Sequence, residues 1–192
     1  MKRLTFVLFI IFAVTTLVTA QSEWKFDKAH SSVTFSVRHM VISEVSGNFK
    51  DFSVVLKSQK EDFSDATVEG TIQVASISTD NDYRDKHLKS DDFFNAEKFP
   101  EIKFKSKKFE KLRDNKYTII GDLTMRDVTK EVTFDAVLNG TLKTDKGLLS
   151  AWKATTTVNR FDYNLKWNKT VETGGLMVGQ DVTITLNLEL NK

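Results

Sequence analysis

Residues 181–190 alternate with period two from end to end. Val182, Ile184, Leu186, Leu188 and Leu190 stand against Asp181, Thr183, Thr185, Asn187 and Glu189. Successive side chains of a strand point to opposite faces, so this pattern suits a strand with one side in an apolar interior and the other in water. Seven earlier segments repeat it. Residues 31–40 put Val33, Phe35, Val37 and His39 in phase, and residues 67–77 do the same for Val68, Ile72 and Val74. Residues 101–109 set Ile102, Phe104 and Ser106 against Lys103, Lys105 and Lys107, a solvated face or edge guard rather than a nucleic-acid patch. Residues 117–125 turn Tyr117, Ile119, Leu123 and Met125 inward, and residues 128–142 follow with Val132, Phe134, Ala136 and Leu138. Residues 148–161 carry Trp152, Ala154, Thr156 and Val158. The remaining segment, residues 45–57, changes phase between Phe49 and Phe52, which predicts a β-bulge. Gly47 there suits a close backbone approach, and Gly70 leaves a space or a bend.

One stretch breaks the alternation. Residues 81–100 read as a short helical insert near 81–95, with Thr79 or Asp80 as the expected N-cap. Residues four apart share a helix face, which pairs Tyr83 with His87 and Arg84 with Leu88. Phe93, Phe94 and Phe99, closed by the chain's only proline, are too apolar for an open loop. A second irregular stretch, residues 163–179, contains glycines and Trp167.

Residues 1–20 read as an export leader: Lys2 and Arg3, an apolar run from Leu4 to Val18, then the small Val18-Thr19-Ala20. The run is shorter than the roughly 20 apolar residues that a bilayer span needs. The mature chain is then expected to be residues 21–192, a single periplasmic or secreted domain. Without Lys2 and Arg3 the formal charge of +2 falls to zero, which gives no general pull toward nucleic acid or an anionic membrane. There is no cysteine, hence no disulfide framework, thiol chemistry or thiolate metal site.

Catalytic signatures are lacking. His30, His39 and His87 have no zinc-site spacing, and Asp80, Asp82 and Asp85 lack the order of a calcium loop. No Gly-rich phosphate loop or nucleophile elbow occurs. Eight antiparallel strands with short connections fit a barrel and a sandwich equally. An apolar tube with His39 at one end and Arg84 and His87 on a nearby helix has the form of a lipid-type site. A filled core with His39 merely hydrogen-bonded fits the same pattern.

Particular residues carry a family likeness over nearly all of residues 24–190. They are Asp27 with His30-Ser31, Phe35, His39, Gly47-Asn48-Phe49 and Ser76-Ile77-Ser78-Thr79. Arg84-Asp85-Lys86-His87-Leu88, Ser90, Asp92-Phe93-Phe94 and Phe99-Pro100 follow in the insert. Phe104-Lys105-Ser106, Gly121-Asp122-Leu123-Thr124, Val128-Thr129-Lys130 and Val182-Thr183-Ile184 complete the set. In these the chain resembles the YceI-like family of polyisoprenoid-binding, lipocalin-like exported bacterial proteins. It departs at Asp127, where the family commonly has Gly, and after Arg160, where the usual Phe-Gly pair is missing.

The resemblance implies an all-β fold, an extended eight-stranded antiparallel barrel with the helix beside its mouth. It further implies a binding or carrier protein, not an enzyme, that holds a long isoprenoid, quinone-like or fatty lipid molecule. The tube is expected to be lined by Phe35, Val37, Phe49, Ile72, Val74, Phe104, Leu123, Phe134, Trp152 and Val158. Phe93 and Phe94 are expected to close it, with His39, Arg84 and His87 at the polar end. No cofactor, metal, nucleic acid or stable membrane insertion is expected, and a homodimer is admissible. The alternatives are an exported enzyme on a lipid-like substrate, with His39 or His87 as base, and a stress or interaction protein with a filled barrel.

Overall fold

The computed structural model describes residues 22–170 and 174–192, so the expected leader lies outside the described residues. The strands are β1 (Ser22–Phe26), β2 (Ser32–His39), β3 (Ser43–Phe49), β4 (Phe52–Ser58), β5 (Thr67–Gln73) and β6 (Ile77–Ser78). Helix α1 (Asp82–Lys89) comes next, followed by β7 (Glu101–Lys111), β8 (Lys116–Met125), β9 (Val128–Thr144), β10 (Gly147–Asn159) and β11 (Val178–Asn191). Every pairing between them is antiparallel.

These elements follow eight paths around a closed barrel. β1 and β2 lie end to end along one edge of β11, with Phe26 opposite Leu190 and Ser32 opposite Asn187. β4 pairs with β1 while β3 pairs with β2, and β5 and β6 run alongside β4 and β3. The sequence β5, β7, β8, β9, β10, β11 completes the circuit, and the β1–β11 pairing closes it. Closure removes the exposed edges that an open sheet of this size would leave.

Two details differ from expectation. The phase change at Phe49–Phe52 is a corner rather than a one-residue bulge. Lys50 and Asp51 leave the strand path and are held by Lys50 N–H to the Ser76 carbonyl and Gln73 N–H to the Asp51 carbonyl. Both flanking phenylalanines stay buried as a result. Strand β1, which buries Trp24, precedes the first alternating segment recognised in the sequence.

The lower end of the barrel is plugged. Rings of Trp24, Phe63, Phe109, Tyr117 and Trp152 interlock there, with centroids 5.0 Å apart for Phe63–Trp152 and for Tyr117–Trp152. Phe63 reaches inward because the loop beneath it is tied by Asp65. That carboxylate accepts from the Ser58 hydroxyl at 2.6 Å and from the Gln59 amide at 3.0 Å. The polar tips of the plug are satisfied too: Tyr117 donates to the Asp62 carbonyl at 2.9 Å and Trp152 to Ser150 Oγ at 3.2 Å.

At the upper end, α1 and residues 90–100 cover the place where β6 ends. The N-cap of α1 is Asn81, whose side chain accepts from the Arg84 amide at 2.9 Å. Asp80 sits at φ +57°, outside the extended region a cap requires, and the Thr79 hydroxyl is engaged by Asp85 and Arg84. Asp82 and Asp85 in the first turn and Lys86, His87 and Lys89 in the last complement the helix dipole.

Candidate functional site

Between plug and roof lies a cavity with about 180 Å³ open to the centre of a water-sized sphere. Strand alternation builds it, since each barrel strand turns its apolar face inward. Of the residues expected from sequence, Phe35, Val37, Phe49, Ile72, Phe93, Phe94, Phe104, Leu123, Phe134 and Val158 line it. Gly70 and Ala154 also line it, and a Cβ on Gly70 would come no nearer than 3.7 Å to any neighbour. Leu88, Phe93, Phe94 and Leu165 cover the upper end.

Five expected site residues stand elsewhere. Trp152 belongs to the lower plug. Val74 is 1% exposed at the start of a 3-10 turn, and its amide donates to the Pro100 carbonyl at 2.8 Å, so it packs behind the wall. His39 ends β2 above Val37, where its carbonyl accepts from the Ser43 hydroxyl at 2.9 Å. The Arg84 guanidinium turns back on its own chain and donates to Thr79 Oγ1 at 2.7 Å and to the Thr79 carbonyl at 2.9 Å. His87 Nε2 lies 2.8 Å from Asp92, and its ring meets Phe93 and Trp167 edge-on at 5.0 Å. Arg84 and His87 therefore fasten the roof and do not point into the cavity.

Further wall residues escaped the sequence reading. Val182, Ile184, Leu186 and Leu188 were legible as an inward face of the last strand, although not as site residues. Leu165 comes from irregular chain with no period to reveal it, whereas Arg160 falls in the inward phase of Trp152, Ala154, Thr156 and Val158 but carries a charge that an apolar wall does not suggest. Arg160 is 4% exposed and has no ion-pair partner among the described residues. Its hydrogen bonds run to the carbonyls of Leu165, Trp167, Val178 and Gly179 at 2.6–2.9 Å, and its guanidinium stacks on Phe161 at 4.4 Å. Burial lowers its pKa. Its donors hold the loop, and the cavity keeps a hydrocarbon surface.

The two departures from the family pattern have local explanations. In the β8–β9 turn the left-handed position is Arg126, at φ +54°, so Asp127 needs no glycine. Arg126 Nη1 also donates to the carbonyls of Phe93 at 2.8 Å and Asn164 at 2.9 Å, tying that turn to the roof. After Arg160, Asn164 takes the left-handed conformation at φ +62°, which asparagine tolerates better than most residues.

Among the described residues, Asp27, His30 and Glu189 bring three metal-capable donor atoms within 4.8 Å of one another. His30 Nδ1 lies 3.0 Å from Asp27 and 3.9 Å from Glu189, and Asp27 accepts from the Ala29 amide at 2.8 Å. These contacts close the interruption between β1 and β2.

Comparison with known proteins agrees with this architecture. Residues 24–190 match the YceI-like domain. The chain belongs to the YceI-like family. It is 39% identical over 172 residues to UPF0312 protein SAB2563 of Staphylococcus aureus (strain bovine RF122 / ET3-1), covering 88% of this chain and 98% of the relative. The Campylobacter jejuni YCEI protein is 28% identical with a TM-score of 0.70, over 97% of this chain and 99% of that one. Burkholderia cenocepacia BcnA, 22% identical with a TM-score of 0.75 over 85% of this chain and 98% of its own, shares the fold. So does a polyisoprenoid binding domain from Saccharophagus degradans, 11% identical with a TM-score of 0.62 over 88% and 97% of the two chains.

Proposed function

We infer that this YceI-like protein binds the hydrocarbon chain of an isoprenoid or similar long lipid inside its barrel and carries it. The observation behind this reading is the cavity itself, walled almost entirely by hydrocarbon from β2 to β5 and from β7 to β11. Apolar cavities on the order of 150 Å³ stay dry and accept apolar guests. Each methylene moved from water into such a space contributes roughly 0.8 kcal/mol, so a long tail is held without polar contacts. The described name of the S. degradans domain, a polyisoprenoid binder of the same fold, agrees with this choice of ligand.

Binding, not catalysis, is the role proposed. None of the three histidines lines the cavity, and His39 and His87, the candidate bases, are engaged elsewhere. The order of residues 1–20 further supports work outside the cytoplasm, in a periplasm or beyond. No helix among the described residues is long and apolar enough to cross a membrane. Native mass spectrometry of protein purified from its own host tests the reading. A co-purified long-chain lipid is expected, and protein that stays empty after incubation with such lipids overturns it.

A further inference from the structure

The β2–β3 hairpin ends in Met40-Val41-Ile42, exposed to 44%, 55% and 87%. Met40 and Val41 have φ of +50° and +71°. A tight hairpin turn usually gives such positions to asparagine and glycine, and a β-branched residue there is strained. Three apolar side chains thus project from a turn that a polar pair would fold more easily. Strain of this kind at an exposed tip points to a use outside the fold.

The tip stands on the rim of the cavity. Met40 N–H donates to the Met177 carbonyl at 2.8 Å, and the next residue, Val178, lines the cavity and pairs with His39. Basic residues flank it. Met177 N–H donates to the carbonyl of Lys169, and Lys169 is exposed without an ion pair among the described residues. Arg38, also exposed, stands opposite Glu44 in the β2–β3 register.

The geometry points to a lipid bilayer as the occupant of this surface: Met40, Val41 and Ile42 dip into the interface and hold the rim of the barrel against it. Apolar side chains with a lysine and an arginine beside them suit the boundary between acyl chains and anionic head groups. The inference rests on the proposed ligand, because a long hydrocarbon leaves a membrane reluctantly. Each methylene that must cross water lowers the transferring population roughly fourfold. Contact between rim and bilayer lets the chain pass without that crossing.

Flotation with phosphatidylcholine vesicles, with and without phosphatidylglycerol, tests the surface. The protein is expected to float, more so with phosphatidylglycerol. Ile42→Ser alone is expected to weaken binding roughly tenfold, from the loss of one buried aliphatic side chain. Val41→Gly relieves strain, so adding Met40→Ser and Val41→Gly should abolish flotation while the melting temperature holds. Transfer of a pyrene-labelled long acyl chain from vesicles should speed up with vesicle concentration for the wild type and lose that dependence in the triple variant. Protein that stays in solution with both compositions, or transfer indifferent to vesicle concentration, overturns the docking surface. If the chain is still taken up in that case, the proposed binding function stands. If the protein floats but holds no chain, the docking surface stands and the binding function fails.

Discussion

Phe35 lies directly across the β2–β3 pairing from Gly47, and its ring fills the space a side chain at residue 47 would take. A Cβ on Gly47 would fall 2.5 Å from Phe35 Cζ and 2.8 Å from Thr79 Cγ2. Gly47→Ala therefore has to displace an aromatic wall residue of the cavity. Overpacking of this kind costs typically about 1–3 kcal/mol. Thermal unfolding should show a melting temperature several degrees below wild type. An unchanged value would mean that the Phe35 ring swings away freely.

Gly70 and Ala154 give the opposite expectation. Both line the cavity, and a Cβ on Gly70 meets nothing nearer than 3.7 Å. Gly70→Leu and Ala154→Phe add bulk where a guest chain would lie. Retention of co-purified lipid should fall sharply while stability changes by less than the roughly 1–3 kcal/mol of core overpacking. A large loss of stability with lipid retained would identify a packed core in place of a binding space.

The wall was legible because alternation fixes which face of each strand is inside, and Phe104, Leu123 and Phe134 follow from it directly. Height along the barrel is not written in that period. Trp152 and Ala154 share a face and pack in the same lower cluster, yet only Ala154 reaches high enough to line the cavity as well. Closure was not readable from pattern alone either, since it depends on pairings as remote as Phe26 with Leu190. The polar end was misplaced for a local reason: Arg84 and His87 find partners five residues away, in Thr79 and Asp92. Short-range hydrogen bonds of this sort are invisible to face-by-face reading. Arg160 keeps the inward phase of Ala154, Thr156 and Val158, but its charge gives no sign of an apolar wall, and the 3-10 turn that begins there is not written in the period.

Tyr163 is 2% exposed, and its hydroxyl has no hydrogen-bond partner among the described residues. Burial pushes its pKa up to about 12. An unsatisfied buried polar group costs about 1–3 kcal/mol, so removing it should help. Tyr163→Phe is expected to leave denaturant unfolding equally cooperative and to raise stability by about 1 kcal/mol. A loss of similar size would reveal a bound water that the hydroxyl holds.

Asp27 and His30 predict a pH dependence. The hydrogen bond from His30, then that from the Ala29 amide, holds the Asp27 carboxyl below its ordinary 3.8. The hydrogen bond to Asp27, and then the charge of its carboxylate, raises His30 above its ordinary 6.5. A lowered carboxylate stabilises the fold above its unfolded pKa, and the effect is lost as pH falls through the folded value. A raised histidine stabilises below 6.5, and that effect is lost as pH rises through its folded value. The pair therefore contributes fully between about 3.8 and 6.5 and fades on either side. Both groups face water, so the effect is small. The stability gap between wild type and His30→Ala, followed by urea unfolding across this range, should be widest near pH 5 and narrow as pH rises through the raised His30 value. A gap that stays constant from pH 5 to 9 would mean that His30 holds the β1–β2 junction through its neutral hydrogen bond alone.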